Sequence, residues 1–478
     1  MISQVNKKSF LFYVLNIFFN LTLGFFIIEL ILGFNGKLFN YGNLSIRKLL
    51  FILVLIILSI KAIYLSKKYG YKIFSLKKGV SLVRQYDSFD FFVGLFLILN
   101  SIWIFIVPST MGYGIRMAVK HAMSLSMLLL YFPVTLLLKF KNINIKSIHN
   151  IVMASVCILA IIHIYLYVGE KACNDATFAL NFFEFIKKLT FGSFQRPMIM
   201  YPRNYIKIIY TTSIFLVVIF YYVLTEELTP KLILFYVIGL SALLTTLTKS
   251  LWYGVLCGIA IYIFIRLYFI KKHVYTLNFK QFNILLFTAI ITVCLLNSLL
   301  LENYVFIRLG NTFARKEESQ QHSYSVILNE DGRLNENTKF IDELAGTERA
   351  NYTRIEQTKA LIDKWSKSPW FGFGYGSYAD EYFRSNTATP YSYEMLLPSM
   401  LVHIGLVGVL IWLAFIIYII LTILQQARKH KKSLGELYLI VALGVASQFN
   451  PFLFNAAGMG IVLFCLILIK YNGSNGYS

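Results

Sequence analysis

The sequence predicts an all-α polytopic membrane protein of about twelve transmembrane helices, with one large extracytoplasmic loop between helices 9 and 10. Three observations predict it. Hydrophobic residues make up 57% of the 478-residue chain, and they gather in runs close to the ~20 residues that a helix needs to cross a bilayer. Short basic loops separate the runs, where a soluble chain of this length would divide into domains with alternating polar faces. Inside lipid the backbone must satisfy its own hydrogen bonds, which leaves helices or a closed barrel. These runs are too long and too uniformly apolar for barrel strands.

In chain order the spans are expected at 10–34, 48–66, 91–108, 121–138, 148–168, 206–224, 231–248, 251–269, 281–301, 394–424, 436–450 and 453–470. The first follows Lys7 and Lys8, exceeds a signal-peptide core and lacks a small-residue cleavage site, so it reads as a retained anchor. Gln448, Asn450 and Pro451 interrupt the last two. The chain therefore divides into 1–301 (nine helices, with an outer loop at about 169–205), 302–393 (the large loop) and 394–478 (three helices and a cytoplasmic tail).

Loop charge sets the orientation, because Lys and Arg accumulate on the cytoplasmic side. With the N-terminus inside, Lys67, Lys68, Lys72, Lys77, Lys78 and Arg84 share one cytoplasmic loop. Lys139, Lys141 and Lys146 mark a second, Lys271, Lys272 and Lys280 a third, and Arg428, Lys429, Lys431 and Lys432 a fourth. An even number of spans brings the C-terminus back to the cytoplasm. Most of the net charge of +22 is then topogenic and gives no support to a nucleic-acid partner. Cys157, Cys257, Cys294 and Cys465 fall in spans and Cys173 in an outer loop, without metal-ligand spacing or a disulfide framework. No internal repeat is visible, which weighs against a secondary transporter.

The large loop, from about Leu301 to Tyr393, holds 11 basic and 13 acidic residues. A connection this long is functional or a small domain in its own right. In its second half Tyr352, Ile355, Leu361, Ile362 and Trp365 lie near helical spacing, which predicts an amphipathic helix ending before Pro369.

Positive charge beyond the needs of topology falls on the outer face, at Arg116, Lys120, Arg196, Arg203, Lys207 and Lys249. Each could be a snorkelling side chain or part of an anion site. Lys249 lies in Thr248-Lys249-Ser250, read as the whole turn between two apolar spans, where its ammonium would sit near the membrane surface. A lipid-attached pyrophosphate suits such a cation. Glu394 and His403 are ionisable residues at and within the tenth span, and such residues are functional candidates. On one regular helix they would be about 13–14 Å apart and on opposite sides, so Glu394 is preferred for chemistry. His403 is equally well read as a packed, hydrogen-bonded histidine. The segment Pro369-Trp-Phe-Gly-Phe-Gly-Tyr-Gly-Ser-Tyr378 lacks the strand–turn–helix frame of a dinucleotide site. It reads as a tight loop whose backbone, at Gly372 and Gly374, approaches another surface or a ligand. Gly405-Leu-Val-Gly408 reads as a small-residue helix contact.

In this order, these residues resemble the O-antigen ligase and polymerase family of bacterial inner-membrane enzymes, many-helix proteins with one large periplasmic loop late in the chain. Thr248-Lys249 is similar to the family's Ser-Arg turn. Arg354 through Pro369 and Gly372-Phe-Gly374 is similar to its Arg-bearing helix and Pro-x-x-Gly-x-Gly. Glu394 through Gly405-Leu-Val-Gly408 is similar to its next span, and Arg308-Leu309 to a further basic position. The resemblance covers residues 231–424. Ligases carry a His eleven residues before the Gly-x-x-Gly, proposed to activate the acceptor hydroxyl; here that position is Glu394.

The resemblance implies a glycosyltransferase of the bacterial inner membrane, with both termini cytoplasmic and the large loop periplasmic. Glu394 in place of His points to a repeat-unit polymerase, which joins undecaprenyl-pyrophosphate-linked units into O-antigen, capsule or a related polysaccharide with inversion. Glu394 and Lys249 would be catalytic, with substrate bound by Arg116, Arg196, Arg203, Arg308, Arg354, His403, Gly372 and Gly374. No metal or cofactor is required by the scheme. Its partners would be the lipid-linked donor and acceptor, membrane lipids, a chain-length regulator and a flippase. The alternatives are a ligase that moves finished polymer to an acceptor, and a flippase for lipid-linked sugar.

Overall fold

A computed structural model describes residues 2–34, 40–41, 44–68, 87–139, 143–173, 177–190, 194, 198–200, 207–209, 211–271, 279–303, 305–306, 343–379, 390–430 and 434–474. The helices are α1 (Ile2–Leu32), α2 (Ile46–Lys68), α3 (Ser88–Thr110), α4 (Ile115–Lys139), α5 (Ile145–Cys173), α6 (Phe178–Leu189) and α7 (Thr211–Thr225). They continue with α8 (Pro230–Thr245), α9 (Lys249–Lys271), α10 (Phe279–Leu299), α11 (Glu343–Ser366), α12 (Leu396–His430), α13 (Gly435–Ser447) and α14 (Ala456–Ser474). Two antiparallel hairpins, β1 (Asn40–Tyr41) with β2 (Leu44–Ser45) and β3 (Met198–Met200) with β4 (Lys207–Ile209), complete the described structure.

The chain is an all-α, multi-pass membrane protein, but the expected count of twelve spans is corrected. Among the described residues, seven helices are long and apolar enough to cross a membrane: Ile46–Ser66, Ser88–Thr110, Ile115–Lys139, Ile145–Cys173, Lys249–Phe269, Gln281–Leu299 and Leu396–Arg428. The apolar stretches Ile17–Leu32, Thr211–Thr225, Pro230–Thr245, Gly435–Ser447 and Ala456–Asn472 are shorter. At about 1.5 Å per residue, the 13 residues of α13 reach only about 20 Å against a hydrocarbon core of about 30 Å. Backbone breaks bound two of these stretches: Leu247 adopts a left-handed φ of 51° just beyond α8, and Asn450-Pro451 follows α13. With the count falls a further expectation, the place of the large loop between a ninth and a tenth span.

Close approach of backbones holds the bundle together. A methyl group on Gly254 would come within 2.6 Å of the Ala442 carbonyl, and one on Gly258 within 2.8 Å of the Tyr438 ring. Small residues thus let α9 and α13 pack tightly, as is usual between membrane helices. Between α3 and α12, Phe96 stacks on Phe415 with ring centroids 3.9 Å apart. At the N-terminal end of α3, Asp87 caps the helix by accepting from the Phe89 and Asp90 N–H groups, and the Asp90 carboxylate accepts from the Asp87 N–H in return. Lys470 of α14 reaches both carboxylates, at 2.7 Å from Asp87 and 2.6 Å from Asp90. The expected outer loop at 169–205 contains α6, whose first turn is fixed by Glu170 accepting from the Ala179 N–H at 2.8 Å.

Candidate functional site

The glycine segment after α11 is built into a break in α12. Gly405 has φ 62° and ψ −173°, so the helix is interrupted there. In a continuous helix the Leu406 and Val407 N–H groups would bond the Val402 and His403 carbonyls. They donate instead to the carbonyls of Pro369 and Trp370, at 2.9 and 3.0 Å. The two freed carbonyls accept from Phe373 N–H and Gly374 N–H, each at 2.8 Å. Two helical bonds are therefore exchanged for four bonds to the inserted segment. Gly372 and Gly405 make this possible: both have positive φ, and a methyl on Gly372 would lie 2.6 Å from the Gly405 nitrogen. Gly405-Leu-Val-Gly408 is thus a helix break that receives a loop, where a helix–helix contact was expected.

A second acceptor comes from α3. Ile102–Ile106 is a π turn in which the Val107 N–H bonds the Ile102 carbonyl. The next residue, Pro108, has no N–H, so the Trp103 carbonyl has no donor within its own helix. Tyr375 N–H supplies one at 2.9 Å, and Trp103 Nε1 donates to the Phe371 carbonyl at 2.8 Å. Beneath the segment lies a buried polar cluster. Asn100 Oδ1 accepts from the Tyr375 hydroxyl at 3.0 Å and from Trp412 Nε1 at 3.1 Å. His121 Nδ1 accepts from Gly376 N–H at 3.1 Å, which assigns the neutral ring's proton to Nε2. The His121 and His403 rings meet edge to face at 4.5 Å, and Tyr391 stacks on His121 at 4.5 Å. Ser377 Oγ is 3.1 Å from His403 Nδ1, while His403 Nε2 is buried and makes no hydrogen bond of good geometry. Burial raises the pKa of the Tyr375 and Tyr391 phenols, so both stay neutral.

Above this cluster, α11 runs beside the first turns of α12 and grips their start. Arg354 Nε donates to Glu394 Oε2 at 3.0 Å, with both side chains partly exposed. One turn on, Gln357 Oε1 accepts from the backbone N–H groups of Glu394 and Met395, at 3.0 and 3.2 Å. Gln357 is 1% exposed, so it acts as a cap for α12 brought in from another helix. Leu361 of α11 packs in one small apolar cluster with Tyr393 and Val402. The end of α12 also meets the Lys249 turn, because Leu396 N–H lies 3.4 Å from the Gln448 carbonyl and Asn450 Nδ2 donates to Ser250 Oγ at 2.6 Å.

Glu394, Arg354, Gly372 and Gly374 are thus gathered at the start and break of α12, while Lys249 precedes Ser250, whose hydroxyl accepts from Asn450 Nδ2. Lys249 does not lie within the turn, as expected, but begins α9. There its charge adds to the positive end of the helix dipole. Arg116 is exposed on the first turn of α4, the turn against which Gly376 packs. His403 is 1% exposed and Glu394 lies ahead of α12, so the two do not share a regular helix. Arg196, Arg203 and Arg308 lie outside the described residues. His121, Asn100 and Gln357 were not singled out by sequence reasoning. Only His121, an ionisable residue in an apolar run, carried a signal that could have found it.

Among the described residues, no group of three His, Cys, Asp or Glu side chains is placed to hold a metal ion. Residues 234–413 match a family model described as O-antigen ligase, a family that spans ligases and polymerases. No curated protein and no solved structure matches the chain.

Proposed function

Taking residues 234–413 as belonging to the O-antigen ligase family, we propose that the protein transfers a glycan from a polyprenyl-pyrophosphate donor to an acceptor hydroxyl at the outer face of the membrane. Family membership implies an enzymatic role in glycan biosynthesis and lipid-linked glycan substrates. The observation that supports the finer reading is the pairing of Arg354 with Glu394 just ahead of α12, with Lys249 beginning α9 beside Ser250, which Asn450 bonds. Cations there suit the charge that develops on a departing pyrophosphate, and preorganised charge of this kind is usually the largest catalytic contribution. When the pyrophosphate arrives, Arg354 would exchange its carboxylate partner for phosphate oxygens, which it can bind through its guanidinium fork. Glu394, so released, would take the proton from the acceptor hydroxyl as that oxygen attacks the anomeric carbon. The bond from the anomeric carbon to the pyrophosphate oxygen breaks, polyprenyl pyrophosphate leaves, and a single displacement inverts the new linkage.

Of the two family activities, the ligase reading is preferred to the polymerase expected from the sequence. The matched model is described as O-antigen ligase. The argument for a polymerase was Glu394 in place of His, and it weakens because Glu394 is engaged by Arg354 rather than standing as an isolated base. Full-length protein in proteoliposomes, given a synthetic lipid-linked repeat unit, should form a new glycosidic bond and release polyprenyl pyrophosphate. Transport of the donor across the bilayer with no bond formed would sink the enzyme reading. Deleting the gene in its host separates the family activities: loss of a ligase leaves polymer unattached, and loss of a polymerase leaves single units attached.

A further inference from the structure

The glycine segment has a dry backbone and a wet-looking edge. From Gly372 to Ser377 every N–H is bonded within the protein. Gly372 donates to the Ser368 carbonyl at 3.0 Å, Ser377 to that of Gly374 at 3.3 Å, and the four between them to Val402, His403, Trp103 and His121 as given above. Non-helical backbone tolerates membrane depth only on that condition, when it is buried in protein. Yet the two side chains at the leading edge of the segment point away from the fold: Trp370 is 62% and Phe371 51% exposed.

Their surroundings say what covers them. The Phe371 ring stacks with Trp103 at 6.5 Å, beside α3, where Phe105 and Ile106 are 52% and 59% exposed. Those residues belong to Ser88–Thr110, a segment apolar enough to cross a membrane, so their exposed faces are lipid-facing. Trp370 accepts from Val407 N–H at 3.0 Å, where α12 enters its long apolar run. The exposed aromatics therefore continue a lipid-facing surface. Tryptophan favours the boundary between headgroups and acyl chains, because its ring is apolar while its N–H remains hydrated.

We propose that Trp370 and Phe371 insert into the bilayer, so that the glycine segment is a re-entrant, lipid-facing element and not part of a water-exposed loop. The partner is membrane lipid at the headgroup–acyl boundary. This inference does not depend on the glycosyl-transfer reading.

Tryptophan fluorescence of the full chain in phosphatidylcholine vesicles tests it, using the same lipid brominated near the top of its acyl chains as quencher. The difference between the native protein and Trp370→Phe isolates the emission of Trp370, an exposed residue whose replacement leaves the core intact. That emission should be largely lost in brominated vesicles and insensitive to aqueous iodide. A double variant, Trp370→Phe with Phe371→Trp, should restore the lipid-quenched component. Emission quenched by iodide but not by brominated lipid overturns the proposal. So does emission that changes only when a water-soluble oligosaccharide is added, since the aromatics would then face sugar.

Discussion

At the N-terminal end of α3, Lys470 is held by two carboxylates, at 2.7 Å from Asp87 and 2.6 Å from Asp90. At the opposite end, where the glycine segment docks, Arg354 and Glu394 pair at 3.0 Å. The chemistry is the same and the setting is not. The Asp90 side chain is 2% exposed, and its second oxygen accepts from the buried Tyr131 hydroxyl at 2.5 Å. Three helices, α3, α4 and α14, thus converge on one carboxylate. Arg354 and Glu394 are 32% and 24% exposed. A closed pair can only hold helices together. An open pair can exchange a partner, as binding an anionic substrate requires.

The largest effect is expected where the open pair is asked to do chemistry. Glu394→Gln keeps the size and hydrogen-bonding capacity of the side chain but cannot take up a proton. Transfer should fall by about 10²–10⁴-fold, the usual worth of a general base, while the thermal midpoint in detergent stays near that of the native protein. Full activity would remove Glu394 from the site and leave the contrast between the two ends without its functional half.

The closed pair should respond the other way. Asp90→Ala leaves Lys470 and the Tyr131 hydroxyl without their shared partner, and breaking a buried pair costs about 3–5 kcal/mol. The thermal midpoint should drop sharply, while the protein that remains folded keeps its substrate KM. The pH dependence has a definite sign. Burial raises the Asp87 pKa, but the hydrogen bond and charge of Lys470, with the bonds from Asp90, more than offset it and leave it lowered. A lowered carboxyl pKa gives stability that is present above the unfolded value near ~4 and is lost as pH falls through the folded value. Melting curves from neutral pH down to about pH 3 should show that loss in the native protein and a smaller one in Asp87→Asn.

What the sequence made legible follows from the range of the interactions involved. Helices came from local apolar runs, although the span expected at 206–224 includes the strand Lys207–Ile209 ahead of its helix. Their number did not follow, because crossing a membrane depends on uninterrupted length. That length is curtailed by local features such as the left-handed Leu247 just beyond α8. Lys249 and Glu394 stood out as ionisable residues beside apolar runs and Arg354 through the resemblance of its motif, each a short local pattern. The break at Gly405 was misread because a glycine pair in an apolar run looks alike whether it faces a helix or admits a loop. The clamp at Lys470 joins residues 380 and 383 positions apart, and His121 meets Gly376 across 255. No periodicity encodes such pairs.

The smallest effect sharpens the comparison most, because it separates position from chemistry at the open end. Gln357 neither carries charge nor reaches the surface, but its side-chain oxygen caps the Glu394 and Met395 N–H groups. Gln357→Ala removes both bonds at the start of α12, and losing a cap costs about 1 kcal/mol. If the cap fixes where Glu394 stands, kcat should fall several-fold while donor KM changes little, since Lys249 and Arg354 are untouched. Gln357→Glu retains an acceptor oxygen for the same N–H groups and should recover most of the rate. An equal loss in both variants would mean that the buried amide matters for packing alone. Glu394 would then owe its place to Arg354, and the open end would be looser than the hydrogen bonds of α11 make it.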